Sequence, residues 1–113
     1  MKLQITQKSL NKALSAAGRA AAKRTTIPIL SYVLFEASGN QVVISGTDLD
    51  VEIKSHAEAS ISQGGAVCAP AGPFMDISKK MADGKDISIE LDNNRLTIKS
   101  GRTRFHLTHQ SLI

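Results

Sequence analysis

Apolar and polar residues recur at regular intervals along most of the chain. Residues 2–6 alternate, with Leu3 and Ile5 on one face, and this pattern predicts a short strand. Apolar positions then recur at helical spacing from about residue 7 to residue 22, and Thr6 is a suitable N-cap for that helix. A proline shortly afterwards ends the pattern, because proline pushes the residue before it into extended geometry.

Strand-like runs and one further helix follow in a repeated order. The predicted elements are strands at about 30–37, 41–47 and 51–58, a short strand at 66–69, a helix from about 70 or 72 to 81, and strands at about 86–92, 95–100 and 102–109. The order strand, helix, three strands therefore occurs twice, over about residues 1–62 and 63–110, without convincing sequence identity between the halves. Two such units predict an α+β domain in which two helices cover one face of a continuous, mostly antiparallel sheet.

The first predicted helix is amphipathic, with leucines and alanines on its inner face. Its outer face carries Lys8, Lys12, Ser15, Arg19 and Lys23. A face that is only solvated normally mixes charges of both signs, because oppositely charged residues four apart stabilise a helix. The absence of any acid along this helix therefore favours contact with phosphate groups, with a simple solvated face as the alternative.

The charge of the whole chain is sorted in the same way. The formal net charge is +4, yet no acidic residue precedes Glu36 and none follows Asp92. Such sorting favours an anionic partner. The chain has only one tyrosine and three phenylalanines, which argues against a surface that stacks the bases of single strands. The phosphate backbone of DNA is therefore the favoured partner.

Length and cysteine content limit the class of protein. A chain of 113 residues forms one domain, and we assign residues 1–113 to it. The first twenty residues contain no apolar leader, and no stretch approaches the length of a membrane span. Cys68 is the only cysteine, so no disulfide can form within the chain. We expect no membrane partner and a cytoplasmic location.

Few residues suggest catalytic chemistry. Cys68 lies in an apolar strand-like run, which is typical of a buried structural thiol. His106 and His109 would point to opposite faces of a strand, so a shared metal is disfavoured. Asp48 and Asp50 would share one side of a strand and would suit a divalent ion, although a turn stabilised by Asp48 is favoured. We expect no enzyme, no metal and no cofactor, with a metal-dependent enzyme at these aspartates as the minor alternative.

The last predicted strand carries charge on one face only. Arg102, Arg104 and His106 alternate with Phe105 and Leu107. A strand with no following element is a candidate sheet edge, and an open edge invites pairing with another chain. The arginines would select an acidic partner strand, or alternatively would protect the edge from pairing.

Three runs of residues suggest a family. Residues 26–30 (TIPIL), 46–53 (GTDLDVEI) and 100–105 (SGRTRF) closely resemble the first domain of the bacterial sliding clamps, the beta subunits of DNA polymerase III. The order and spacing of the runs also match, and the resemblance covers essentially residues 1–109. It implies the DNA clamp, or processivity, fold.

The resemblance also implies a non-enzymatic function in DNA replication. Clamps of this family are head-to-tail dimers whose chains have three similar domains, and the dimer encircles duplex DNA with its helices inside the ring and its sheets outside. Loose contacts between basic residues and phosphates suit sliding that does not depend on DNA sequence. The implied partners are double-stranded DNA and other clamp subunits.

The same resemblance assigns candidate DNA-binding residues. Arg24 takes the position of a DNA-contacting arginine just before the proline-containing run. The helical wheel adds Lys12, Arg19 and Lys23, which lie on the side that would face the hole of the ring.

A second set of candidates belongs to the subunit interface. The residues that match the family's edge strand, which pairs with the third domain of the other subunit, are Arg102, Arg104, Phe105 and Leu107. Ile77 matches an apolar interface position on the second helix.

Two departures from the family pattern affect these expectations. Gly72 and Pro73 stand where basic residues often enter the second helix, which removes an expected interface charge. The second and third clamp domains are expected to be absent, and with them the groove for DNA polymerase III and clamp-loader peptides. The leading function is a clamp N-terminal domain. The alternative is a stand-alone, truncated clamp-like protein that pairs with an intact clamp and modulates it.

Overall fold

The computed structural model describes residues 1–19, 32–47, 51–81, 86–92, 95–101 and 103–107. Its elements in chain order are β1 Lys2–Thr6, α1 Gln7–Gly18, β2 Tyr32–Ser38, β3 Gln41–Thr47, β4 Glu52–Glu58, β5 Ser60–Gln63, β6 Gly65–Pro70, α2 Ala71–Lys80, β7 Asp86–Leu91, β8 Leu96–Ser100 and β9 Thr103–Leu107. The repeated order of helix and strands matches the sequence prediction, with β5 as an additional strand.

The strands form two antiparallel sheets. One sheet has the order β5-β1-β7-β8-β9 and the other has the order β4-β3-β2-β6. The α+β class and the antiparallel pairing are confirmed, while the single continuous sheet expected from the sequence is replaced by two sheets. The division falls between β5 and β6, which are consecutive in the chain but belong to different sheets.

Gly64 explains how the chain crosses from one sheet to the other. It lies between β5 and β6, and a Cβ atom built at this position would lie 2.9 Å from the carbonyl oxygen of Ala37. Only glycine therefore permits this close approach of two backbone segments. The sequence pattern predicted no strand between about 58 and 66, so β5 beside this glycine was missed.

The two halves of the chain exchange their first strands. β1 pairs with β7 of the second half, and β6 pairs with β2 of the first half. Each sheet is therefore built from both halves, and neither half contains a complete sheet of its own. We expect the described elements to fold as one cooperative unit for this reason.

The core lies between the sheets and the two helices. α1 buries Leu10, Ala13, Leu14 and Ala17, and it packs against β3, β4 and α2. Phe74 of α2 is fully buried, and the centre of its ring lies 5.7 Å from that of Phe35 on β2. Complete burial of a large apolar side chain contributes about 1.5–3 kcal/mol, so these contacts hold both helices on the sheets.

The ends of α1 test the predicted boundaries. The hydroxyl of Thr6 accepts a hydrogen bond from the backbone amide of Ser9 at 3.2 Å, which confirms Thr6 as the N-cap. The helix ends at Gly18, with Arg19 as its C-cap residue. Residues 20–22, which the sequence pattern assigned to the same helix, lie outside the described residues.

Candidate nucleic-acid and subunit interfaces

The outer face of α1 presents three cations. Lys8, Lys12 and Arg19 are all exposed, and none of them makes an ion pair within the described part of the chain. The two ion pairs found there lie elsewhere: Lys2 with Glu90 at 3.8 Å, and Lys54 with Glu52 at 3.7 Å. The carboxylates of the described residues therefore leave the positive charge of α1 unneutralised.

Helix stability alone does not explain Lys8. It lies in the first turn of α1, where the partial positive charge of the helix terminus favours acidic residues, and this turn contains none. Arg19, by contrast, lies at the C-terminal end, where a cation is favourable. The position of Lys8 is therefore unfavourable for the isolated helix, and this supports a binding role for the whole face.

Ser15 corrects one detail of the helical wheel. The helical wheel placed it on the outer face with the cations, but it is half-buried and its hydroxyl donates a hydrogen bond to Met75 Sδ at 3.5 Å. This side of α1 faces α2 instead of solvent. The wheel erred because it divides a helix into two sides and takes no account of a neighbouring helix.

Two of the candidate DNA-binding residues have no described position. Lys23 and Arg24 lie outside the described residues, as does the whole of the 26–30 run. Of the four candidate DNA-binding residues, the structure therefore places only Lys12 and Arg19, both on the outer face of α1. Lys8 belongs to the same face and extends the set by one residue, which the helical spacing alone could have included.

β9 lies at one end of the five-stranded sheet. It pairs with β8, and no other described strand pairs with its second side. Arg104 lies opposite Lys99, and His106 lies opposite Thr97, with 3.1 Å between His106 Nδ1 and Thr97 Oγ1. The outer surface of this edge is therefore basic. Lys99 was not among the sequence candidates, because its position beside Arg104 depends on the strand register.

The inner face of β9 is apolar, as the alternation predicted. Phe105 and Leu107 are half-buried and pack against the core cluster. Ile77, the apolar interface candidate on α2, is only 7% exposed and belongs to that core cluster. It therefore presents little surface to a partner. Arg102 lies outside the described residues.

The first turn of α2 contains the two residues that were predicted to remove an interface charge. Gly72 and Pro73 lie in the first turn of α2 and are exposed. Pro70, the residue at the N-cap position, makes no side-chain capping hydrogen bond. The beginning of α2 therefore offers a partner no charged side chain.

Of the residues considered for catalytic or metal chemistry, only Cys68 and His106 lie in the described ranges. Within the described ranges, no group of three or more His, Cys, Asp or Glu side chains is arranged to hold a metal ion. Asp48, Asp50 and His109 lie outside those ranges. Cys68 is buried, and this burial raises the pKa of its thiol, which favours the unreactive protonated form.

Neither described helix combines the length and the apolar character that crossing a bilayer requires.

Comparison with known proteins places this architecture in one family. The chain matches the family model described as DNA polymerase III beta subunit, N-terminal domain, over residues 1–112. The beta sliding clamp of Caulobacter vibrioides (strain NA1000 / CB15N) is 42% identical over 109 residues, which cover 95% of this chain and 29% of that protein. The beta sliding clamp of Proteus mirabilis is 39% identical over 111 residues, which cover 96% of this chain and 30% of that protein.

Solved structures give the same result. Caulobacter crescentus pol III beta superposes with a TM-score of 0.95 at 41% identity, covering 99% of this chain and 30% of that chain. The DNA polymerase III subunit beta from Pseudomonas aeruginosa superposes with a TM-score of 0.94 at 32% identity, covering 99% of this chain and 31% of that chain. These matches confirm the clamp fold that the three sequence runs implied.

The matched region is one part of a longer protein in these relatives. The chain spans about 30% of the length of the curated clamps that it matches. The chain therefore belongs to the DNA polymerase III beta subunit family, and it corresponds to the N-terminal domain of that family.

Proposed function

We propose that the chain acts as a sliding-clamp N-terminal domain that lines a channel for duplex DNA with the outer face of α1. The observation that carries this proposal is the exposure of Lys8, Lys12 and Arg19 on one face without carboxylate partners in the described part of the chain. Lys23 and Arg24 are proposed to extend the same contact. The domain catalyses no reaction, and its role in replication is to help keep a polymerase on DNA.

The chemistry of this face suits contact with phosphates independently of base sequence. Flexible lysine and arginine side chains attract phosphate oxygens, and such contacts carry no direct information about the bases. Each neutralised phosphate releases counterions, so the affinity falls as salt rises, with a logarithmic slope of about −0.9 per contact. Three contacts would give a slope of about −2.7 and only weak binding by a single domain. Weak contact is what a sliding protein requires.

Binding of the wild-type chain to two unrelated duplexes tests this proposal. Fluorescence anisotropy at several salt concentrations should give equal affinities for both sequences and a clear loss of affinity as salt rises. Arg19→Gln should weaken binding to both duplexes equally. The matched control is Lys54→Gln, because Lys54 is paired with Glu52 on β4. Tight binding that prefers one sequence and ignores salt would contradict the proposal.

The open edge of β9 supports a second role in subunit contact. We propose that Arg104, Phe105 and Leu107, together with Arg102 and the small exposed part of Ile77, form the side of the domain that meets another clamp subunit. The support comes from the unpaired backbone edge of β9 in the described sheet and from the basic surface beside it. Backbone hydrogen bonds would provide the affinity, and the arginines would favour an acidic partner strand. Contacts with DNA polymerase III and a clamp loader would require clamp domains beyond this chain.

The same edge would allow the chain to act alone as a modulator of an intact clamp. A free domain that occupies the matching edge of a clamp subunit would block closure of the ring. Size-exclusion chromatography of the chain with an intact clamp tests this second candidate. Co-elution that Arg104→Glu abolishes would support it, whereas separate elution of the wild-type chain would exclude it.

A further inference from the structure

A row of hydrogen bonds joins the two helices. We use the name polar seam for Gln7, Asn11 and Ser15 of α1 together with Met75 and Ser78 of α2. Gln7 Nε2 donates to the carbonyl oxygen of Ser78 at 2.8 Å, and Ser15 donates to Met75 Sδ at 3.5 Å. The beginning of α1 therefore meets the end of α2, and the two helices run antiparallel.

Ser78 lies at the centre of the polar seam. It is 0% exposed, and its Oγ lies 2.9 Å from the carbonyl oxygen of Met75 and 3.0 Å from the side-chain oxygen Oδ1 of Asn11. A hydroxyl has one proton, so it donates to only one of these groups at a time. If the amide of Asn11 is oriented with Nδ2 toward Ser78, Asn11 donates to Oγ while Oγ donates to Met75. The hydroxyl of Ser78 then accepts one hydrogen bond from Asn11 and donates one to Met75.

Gln7 satisfies a different requirement. The last four carbonyl groups of a helix have no partner within the helix, and the carbonyl of Ser78 belongs to this set in α2. Gln7 is only 9% exposed and supplies the missing donor from the first turn of α1. A buried carbonyl without a partner is destabilising, so this bond ties the end of α2 to the start of α1.

The spacing of the polar seam connects it to the basic face. Gln7, Asn11 and Ser15 are four residues apart, so they form one row along α1. Lys8 and Lys12 each follow a seam residue and therefore lie about 100° further round the helix. Any rotation of α1 that moves the seam away from α2 also moves these lysines.

The other contacts of α1 constrain this rotation less strongly. Ala13, Leu14 and Ala17 are buried by apolar packing, which tolerates small rotations and shifts because it has little directional preference. Hydrogen bonds weaken steeply when their angles change. Buried polar groups at other helix interfaces are known to select one register.

We propose that Gln7, Asn11 and Ser78 are positioning residues that fix the rotation of α1 and hold its basic face toward DNA. This inference rests on the proposed DNA-binding function of α1. The polar seam does not touch DNA itself. It acts by keeping Lys8 and Lys12 in one orientation relative to α2.

The test replaces two residues of the polar seam by apolar residues of similar shape. The double variant Gln7→Met/Ser78→Ala removes the three hydrogen bonds of Gln7 and Ser78, and Ser45→Ala is the matched control. The Oγ of Ser45 is also buried, but it has no hydrogen-bond partner in the described part of the chain and lies on β3 away from the seam. The urea midpoint of the double variant should fall by about 1 M, because the buried carbonyl of Ser78 loses its donor.

Two measurements separate this inference from the proposed function. In NMR spectra, the amide signals of residues 7–19 should broaden or divide in the double variant and stay single in the wild type and in Ser45→Ala. Unchanged signals in the double variant would overturn the inference, whether or not the chain binds DNA. If the wild type shows no salt-dependent DNA binding, the proposed function fails, and the spectra still decide whether the seam fixes α1.

DNA binding then tests the link between orientation and function. The double variant should bind duplex DNA about 3- to 10-fold more weakly, with a salt slope smaller by about 1, although no cation has been removed. Altered spectra with unchanged DNA affinity would also overturn the inference. If the double variant does not fold, Gln7→Met alone removes one of the three hydrogen bonds between the helices and should show the same two effects at smaller size. If the folded Gln7→Met variant has the same spectra and the same DNA affinity as the wild type, the inference is contradicted.

Discussion

The two helices occupy corresponding positions in the two halves of the domain, but their charges are placed differently. α2 has Lys79 and Lys80 in its last turn, where they interact favourably with the helix terminus, and Asp76 lies within reach on the same helix. α1 has Lys8 in its first turn, where a cation is unfavourable, and no acid nearby on the helix. The cations of α2, like Arg19 of α1, are therefore explained by helix stability, whereas Lys8 is not, and the proposed contact with DNA would account for it. Corresponding positions in a fold do not imply the same role.

Removal of the packing that holds α2 on the sheets should have the largest effect. Phe74 is fully buried against Phe35, and Phe74→Ala should lower the free energy of unfolding by about 3–5 kcal/mol. Urea denaturation followed by circular dichroism measures this change. Phe105→Ala is the control, since Phe105 is half-buried on β9 and should lose clearly less. Equal losses for the two variants would show that the core is not centred beneath α2.

Removal of the N-cap should affect α1 alone. Thr6→Ala removes the hydrogen bond to the amide of Ser9 and should lower the free energy of unfolding by about 1 kcal/mol. α2 has no side-chain cap to lose at Pro70. Thr6→Ser keeps the hydroxyl and should stay close to the wild type in the same urea experiment. Equal stability of the alanine and serine variants would contradict the capping role.

Charge reversal at the two helix ends should have opposite effects on stability. Lys8→Glu places an acid in the first turn of α1 and should raise the free energy of unfolding by about 0.3–1 kcal/mol at low salt. Lys79→Glu places an acid in the last turn of α2 and should lower it by a similar amount, about 0.3–1 kcal/mol. Both changes should shrink at high salt because of screening. A loss of stability in Lys8→Glu would mean that Lys8 stabilises its helix after all.

Local patterns in the sequence were sufficient to predict much of the fold. The alternation of residues 2–6 and the capping residue Thr6 depend on neighbours in the chain, and both predictions are confirmed. The amphipathic character of α1 and the alternation of β9 also follow from local spacing. These features could be predicted because each of them is caused by residues that lie within a few positions of one another in the chain.

Features that depend on distant residues could not be predicted in this way. The division into two sheets results from the pairing of β1 with β7 and of β6 with β2, which no local pattern encodes. β5 was missed because the segment Ser60–Gln63 has only one apolar residue and pairs as an edge strand. The burial of Gln7 and Ser78 depends on the meeting of two helices that are far apart in the chain.

The salt dependence of duplex binding tests the assignment of the DNA-facing role to α1 most directly. The variant Lys8→Gln/Lys12→Gln/Arg19→Gln should reduce the logarithmic slope by about 2.7, since it removes three phosphate contacts. Lys79→Gln/Lys80→Gln should reduce it by less than half as much, and Lys54→Gln should leave it unchanged. An undiminished slope in the α1 variant, or a larger loss in the α2 variant, would contradict the account.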